Sequence, residues 1–520
     1  MKTTSTRLNQ PVRACLEHRS SRREEAHSFR GSCDSPRRFD PPHAGGYGSA
    51  GIVAESRSAI RFASLICLLL VSFTAAAGDV GVGVAAVDIT PPLGVAMAGY
   101  YHERGADGVL DPLHSKAMVI EHEGERVALV TLDLIRVSRA VTDQARAEIQ
   151  KATGIKGDHV MVSATHAHTG PTVTERGAGQ SKPQQIAAEH TERLPQLIAE
   201  SVRLATERLQ LARLSAAKGR CDGLAFNRRY FMRDGTTGWN PSRLNPNIVM
   251  PAGPTDPEVS LLYVELPKAS ASTEAIATYV NFAMHPDTTG GNKLSADWPG
   301  ALSRVLSSYH GSNHLTLLAN GTCGNINHFD VSWRGLGGGP TEPNRIGTIL
   351  GAAVFQAYKD LKPVTPGPLR ARSEQVELAL PEITPEQVEE AKKALDTTKD
   401  DRGANFMRLV RSHRTLGIAG RKGEPLKVEV QVISLGAEVA WVSLPGEMFV
   451  ELGLAIKKRS PFPHTFVVEL ANDCIGYVPD RRSYAEGNYE PESARCAAGS
   501  GEKLVEAAVK LLGELHELKP

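Results

Sequence analysis

The stretch Arg126–His166, "RVALVTLDLIRVSRAVTDQARAEIQKATGIKGDHVMVSATH", decides how the chain folds. It opens on an apolar run rich in Val and Leu, which reads as a buried strand. "AVTDQARAEIQKATG" then places its apolar residues on a helical period, with Gly154 where a helix would stop. "HVMVSATH" is a second apolar run that ends in a histidine. Strand, helix and strand in so short a span form a βαβ unit, which implies a parallel pair in a sheet covered by helices.

The same alternation continues outward. "EVSLLYVEL", "EAIATYVNFAMH", "LTLLANG", "KVEVQVISLG", "EVAWVSL" and "TFVVELA" read as strands, and "PQQIAAEHTERLPQLIAESVRLATERL" and "NRIGTILGAAVFQAYKDL" as helices. There is no internal repeat, and no Pro- or Gly-rich linker divides residues 78–520. The expected fold class is α/β, with mixed sheets covered by helices in a single catalytic domain. Between Phe226 and Pro257 lies a polar segment too long for an ordinary connection. The stretch Pro381–Lys427 reads as an insertion whose charged helix "TPEQVEEAKKAL" presents a solvated face.

Composition narrows the function classes. Lys+Arg number 59 against 58 Asp+Glu, a net charge of +1 that leaves no electrostatic footprint for nucleic acid. Residues 1–55, rich in Arg, Ser, Pro and Gly, read as a disordered leader or as sequence upstream of a true start near Ile52 or Val53. Residues 56–77 read as a secretory signal: Arg57 and Arg61 precede the apolar run Phe62–Phe73, and Ala75, Ala76 and Ala77 supply the cleavage site. That run is shorter than the ~18 to 20 residues needed to span a bilayer. An exported protein, periplasmic or extracellular, is therefore expected, with cleavage near Ala77. Of the seven cysteines it would keep Cys221, Cys323, Cys474 and Cys496, too scattered for a disulfide framework.

Reactive side chains recur where strands run out. In "SATHAHTGPT" (163–172), His166 and His168 would share one face if both lay on a strand. With 17 histidines in the chain, chance alone supplies about 0.6 such pairs, so the spacing by itself decides nothing. His285 follows a strand and precedes Pro286, which ends any central ladder. Glu447 follows "SLPG", and Tyr477 follows "NDCIG". Each has an ordinary explanation: a backbone-bonded histidine, a helix-start glutamate favoured by the dipole, a packing tyrosine. Together, two imidazoles and a carboxylate match the His₂Glu set of catalytic zinc, which leaves a position open.

The ordered motifs "THAHTGP", "NFAMHP", "LANGTCGNIN", "LPGEMF" and "NDCIGYVPDRRSYAEGNYE" resemble the catalytic N-terminal domain of the neutral (non-lysosomal) ceramidases. So do "GVGVAAVDITPPLGVAMAGY", "DPLHSKAMVIEHEGERVALVTLDL" and "FNRRYFM", and the similarity runs from about Gly78 to the C-terminus. The resemblance implies a zinc amidase that hydrolyses ceramide to sphingosine and a fatty acid. By motif it implies His166, His285, Glu447 and Tyr477 as metal ligands, with His168 beside the metal and facing substrate; His168 is then the expected acid for the leaving amine, and His168 or Tyr477 the donor to the oxyanion. Asp297 in "LSADWPG" is expected to orient a ligand, and Asn327 to act as a positioning donor. Two departures stand out. Asn327 occupies a place where the family usually has a serine, and an amide is no nucleophile. The C-terminal β-sandwich of many ceramidases is not expected after the helix "EKLVEAAVKLLGEL".

The expected activity is thus hydrolysis of an N-acyl amide, ceramide or a related lipid, by a metal-activated water, with Zn²⁺ as cofactor. A lipid substrate is compatible with peripheral membrane contact. Two other readings stay open: a zinc hydrolase of a different small amide or ester, and a catalytically silent exported binding protein.

Overall fold

The computed structural model describes residues 79–174, 181–267, 273–335, 339–398, 400–401 and 403–518. The segments read as a leader (1–55) and as a signal (56–77) lie outside the described residues. Among the described residues, no helix is long and apolar enough to cross a membrane.

The opening stretch folds as read. Strand Glu125–Leu132 pairs in parallel with Val160–Ala164, and the helix Arg139–Thr153 crosses between them. Ser138 caps that helix by accepting from the Val141 amide, and Gly154 stops it in the left-handed region at φ 76°. Val141, Ala145 and Ile149, four residues apart, form its buried face. The long helix Lys182–Glu207 lies beside it, burying Leu194, Ile198 and Val202 against the same sheet.

The main sheet runs, edge to edge, Leu315–Asn320, Thr273–Phe282, Glu258–Pro267, Gln210–Arg220, Asp79–Asp88, His114–His122, Glu125–Leu132, Val160–Ala164. Both edge pairs are parallel and the interior pairs antiparallel. At the far edge, helix Asp297–His310 crosses from Thr273–Phe282 to Leu315–Asn320 as a second βαβ unit. A second sheet, Leu369–Leu378, Leu426–Leu435, Val439–Ser443, His464–Val468, contains a third: helix Val450–Arg459 joins its two parallel strands. The two sheets face each other across a core in which Leu129, Tyr279 and Leu317 of the first meet Ile433, Trp441 and Phe466 of the second. Helices cover both outer faces, the first sheet by Arg139–Thr153, Lys182–Glu207 and Asp297–His310, the second by Val450–Arg459 and Ser500–Glu517. Mixed sheets covered by helices is the fold class. It places the exits of three βαβ units close together, because those units straddle one shared core.

Two local readings are corrected, and a third is extended. The histidine pair does not ride on a strand, because pairing stops at Ala164 and Thr165, His166 and Ala167 instead donate their amides to the carbonyls of Leu132 and Leu134. The polar segment after Phe226 is not one long loop: Arg229–Met232, Thr237–Trp239 and Ile248–Pro251 form a small antiparallel sheet. The charged stretch is two helices: Pro385–Thr397, whose charged face is largely exposed as read, and Ala404–Ala419. Phe406 of the second stacks on Trp239 at 5.3 Å and meets Tyr101 at 5.5 Å and Tyr489 at 5.2 Å. Cys221, Cys323, Cys474 and Cys496 are free, and three of them are buried.

Candidate metal centre

Each of the three βαβ units delivers one group to a common point. His166 follows the strand Val160–Ala164 and sits at φ 74°, a left-handed conformation rare for a residue with a Cβ and costly unless its surroundings hold it. His285 follows Thr273–Phe282, and Glu447 follows Val439–Ser443 in a two-residue strand that pairs in register with Tyr477. His166 Nε2 lies 3.3 Å and His285 Nε2 3.4 Å from the same Glu447 oxygen, Oε2. His168 adds a third imidazole, its Nε2 3.2 Å from that of His166, and the three rings offer ligand atoms within 4.8 Å of one another. All four side chains are buried or nearly so.

The backbone fixes which nitrogen faces the cluster. His166 Nδ1 is 2.8 Å from the Ile135 carbonyl, and His285 Nδ1 is 2.8 Å from that of Cys323 and 3.0 Å from that of Ile326. A carbonyl only accepts, so both Nδ1 atoms carry hydrogen and both Nε2 atoms keep lone pairs aimed at a carboxylate oxygen. His285 Nε2 and Glu447 Oε2 have no hydrogen-bond partner despite burial. Buried acceptors turned toward one another are unfavourable unless a cation or a proton lies between them. A bound metal ion fits this donor set.

Charge follows the same geometry. Burial acts to raise the Glu447 pKa, but His166 and His285 hold it well below the carboxylate range. Burial lowers His166, yet the Glu447 carboxylate outweighs it and the net shift is upward. His285 is pushed down to about 3 by burial and by the nearby charge of Arg228, so it stays neutral. His168 is also lowered by burial, against the pull of Asp287, whose Oδ2 lies 3.8 Å from His168 Nδ1.

The remaining expected residues are placed around this point. Tyr477 is buried beside Glu447, and its hydroxyl accepts from Arg228 at 3.1 Å. Asp297, fully buried, accepts from the amides and hydroxyls of Thr288 and Thr289, which fixes the turn after His285 that carries Asp287. Asp287 in turn accepts from Tyr100 at 3.0 Å. Asn327 is spent elsewhere: its amide nitrogen donates to Asn240 and its oxygen accepts from the Phe329 amide, neither bond involving the cluster. It anchors the strand Ile326–Asn327, whose Ile326 carbonyl holds His285.

Sequence reasoning missed several participants. Glu469 bridges the Cys323 amide and thiol to the Met448 amide, tying the turn behind His285 to the residue after Glu447. Burial pushes its carboxyl up to about 8, so it is neutral at lower pH. Arg228 donates to the Gly324 carbonyl, the Tyr477 hydroxyl and Glu490. The signal for Arg228 was its charge within "FNRRYFM"; for Glu469, nothing in its strand-end context stood apart. Gly324 is required by close approach, since a Cβ there would stand 2.5 Å from the Glu447 carbonyl oxygen.

The cluster opens on a cavity of about 300 Å³ lined by Tyr100, Tyr101, Tyr477, Tyr489, Arg136 and Arg495, among others. A helix-covered pair of mixed sheets with a buried imidazole group able to hold a metal ion defines the class of protein. Residues 80–313 match the family described as "Neutral/alkaline non-lysosomal ceramidase, N-terminal", the family that the sequence motifs resemble. The fold is similar to that of a neutral ceramidase from Pseudomonas aeruginosa, with a TM-score of 0.65 at 20% identity over 84% of this chain and 75% of that one. It is also similar to a ceramidase complexed with C2, with a TM-score of 0.64 at 20% identity over 85% and 76% of the two chains. Among curated proteins none matches the sequence.

Proposed function

We propose that this chain is an exported, zinc-dependent hydrolase that cleaves the amide bond of an N-acyl substrate, ceramide or a related lipid amide. One observation carries the reading: two imidazole lone pairs and a carboxylate oxygen, all buried, converge without a proton of their own between them. Two histidines and a glutamate are a donor set suited to catalytic zinc, with Tyr477 the neighbouring group to complete it. Zinc held there supplies a Lewis acid that polarises the amide carbonyl and brings the pKa of water toward ~7.

The chain's own residues do the rest. The carbonyls of Ile135, Cys323 and Ile326 keep His166 and His285 in the tautomer that binds. Water oxygen adds to the carbonyl carbon, the C–N bond breaks, and the departing nitrogen takes a proton. His168 is placed to move that proton: it borders His166, and Asp287 faces its other nitrogen to favour the charged form as it develops. Asp297 positions Asp287 through the Thr288–Thr289 turn, and Asn327 positions His285 through Ile326. Arg228 fixes the Tyr477 hydroxyl against the cluster.

The test is amine release from a panel of N-acyl amides that includes ceramide. Release abolished by a chelator, restored by zinc and lost in His285→Ala supports the reading. Release that ignores the chelator contradicts it. N-terminal sequencing of the natural product tests export, which predicts a chain beginning at Gly78.

A further inference from the structure

Two guanidinium groups border the cavity beside the histidine cluster, and neither is engaged in a close ion pair among the described residues. Arg136 follows Ile135, the residue whose carbonyl holds His166, and its single protein hydrogen bond is to the Val173 carbonyl at 3.2 Å. Arg495 is exposed on another wall, beside Gly417 of the helix Ala404–Ala419. Of the nearby carboxylates, Asp473 feels the charge of Arg136 but directs its hydrogen bonds to the amides of Arg139 and Cys474, and Glu492 pairs with Arg411. Glu447, the acidic residue of the lining, is turned to its two histidines.

A neutral two-chain lipid gives such groups nothing to bind, and desolvating an unpaired guanidinium under an apolar chain costs free energy. A carboxylate suits them, since the planar fork of arginine matches its two oxygens. Size points the same way. A cavity of about 300 Å³ lies at the lower end of the range for small-molecule sites. A second hollow of about 370 Å³, with Val137, Ala140 and Val141 in its wall, adjoins it and shares Arg136, Val173 and Cys474. The hollow also carries Gln144, Thr191 and Glu192, so only its Val137–Val141 side suits an acyl chain, with the charged end of the molecule left among the arginines.

We infer that the substrate is an N-acyl amide whose amine portion carries a carboxylate, an N-acyl amino acid, with Arg136 and Arg495 as its specificity determinants. The inference rests on the amidase reading and names the substrate class of that same site. Hydrolysis then releases a fatty acid and an amino acid: water oxygen joins the acyl carbon, the C–N bond breaks, and the amino acid nitrogen takes the proton. The positive field of the two arginines also steers the anion inward, so capture weakens with salt.

The test uses two closely matched probes, N-hexanoylglycine and N-hexanoylethanolamine, which differ in a carboxylate against a hydroxymethyl group. Turnover is measured for both, and binding of both is measured by calorimetry on the zinc-loaded protein. The expected result is a kcat/KM ratio favouring the glycine amide by at least about tenfold, carried in KM. The ratio collapses toward one in Arg136→Gln and Arg495→Gln, is retained better in the lysine variants, and falls with salt. Hydrolysis of both probes with no charge preference, or a preference untouched by either glutamine substitution, overturns the inference while leaving the amidase reading standing. Charge-selective, arginine-dependent binding without turnover of any amide does the reverse: the anion site holds and the amidase reading falls.

Discussion

Replacing Glu490 with leucine removes the acid that neutralises two buried arginines. Arg228 Nε lies 2.8 Å from one of its oxygens and Arg229 lies 3.0 Å from the other, and the three side chains are at most 5% exposed. Leucine leaves Arg228 with only the Gly324 carbonyl and the Tyr477 hydroxyl, and Arg229 with Glu486 at 3.2 Å. Breaking a buried pair from one side costs about 3–5 kcal/mol, because the orphaned cation keeps its desolvation penalty. The folded body from Asp79 to Leu518 spans roughly 440 residues, so at ~2.1 cal/mol/K per residue its unfolding entropy is about 0.9 kcal/mol/K. The melting temperature of Glu490→Leu should therefore fall by about 3–6 °C by calorimetry, and Glu490→Gln, which keeps hydrogen-bonding atoms, by less. The same change frees Arg228 to move from Tyr477, so turnover should fall along with stability. A leucine variant that melts within about 1 °C of the wild type would refute the claim that Glu490 neutralises both buried arginines.

Other expectations follow from single contacts. In Gly99→Ala the new Cβ would stand 2.7 Å from His168 Nδ1 on a backbone at φ 101°; the variant should lose about 1–2 kcal/mol and at least about tenfold in kcat while keeping its metal content, read by metal analysis beside kinetics. His314, buried against Thr278 and next to His310, has its pKa pushed down to about 3, first by burial and then by His310. Its folded value lies below the ordinary 6.5, so the unfolded chain binds the extra proton and stability falls as pH drops from about 6.5 toward 3. Urea midpoints across that range should therefore decline less steeply for His314→Gln than for the wild type; parallel curves would mean that the imidazole is not held neutral.

Much of this architecture could be read from the chain because its three βαβ units carry uninterrupted apolar runs. Val160–Ala164 and Val439–Ser443 are buried at every position, and a strand covered on both faces has no polar alternation to confuse the reading. Gln210–Arg220 was harder: it is half exposed, rich in alanine and basic residues, and continues a helical period without a clear break from Lys182–Glu207. That His166, His285 and Glu447 come together was legible because each ends such a run, and the motif order added Tyr477. The way His166 and His168 converge was not visible. It depends on a left-handed turn at His166 and on carbonyls from Leu134 and Ile135, which strand alternation does not encode. Asn327 was read as a group near the chemistry because of its place in a motif, whereas its bonds to Asn240 and Phe329 give it work one residue removed. Asp287, Glu469 and Arg228 escaped notice because their roles come from partners distant in sequence, such as Tyr100, Cys323 and Tyr477.

The most direct measurement is anomalous diffraction on either side of the zinc absorption edge, from crystals grown with stoichiometric zinc. The account predicts one strong zinc peak, bounded by Nε2 of His166, Nε2 of His285 and the carboxylate of Glu447. A zinc peak held by other residues, or no peak at that point with zinc present, would contradict it.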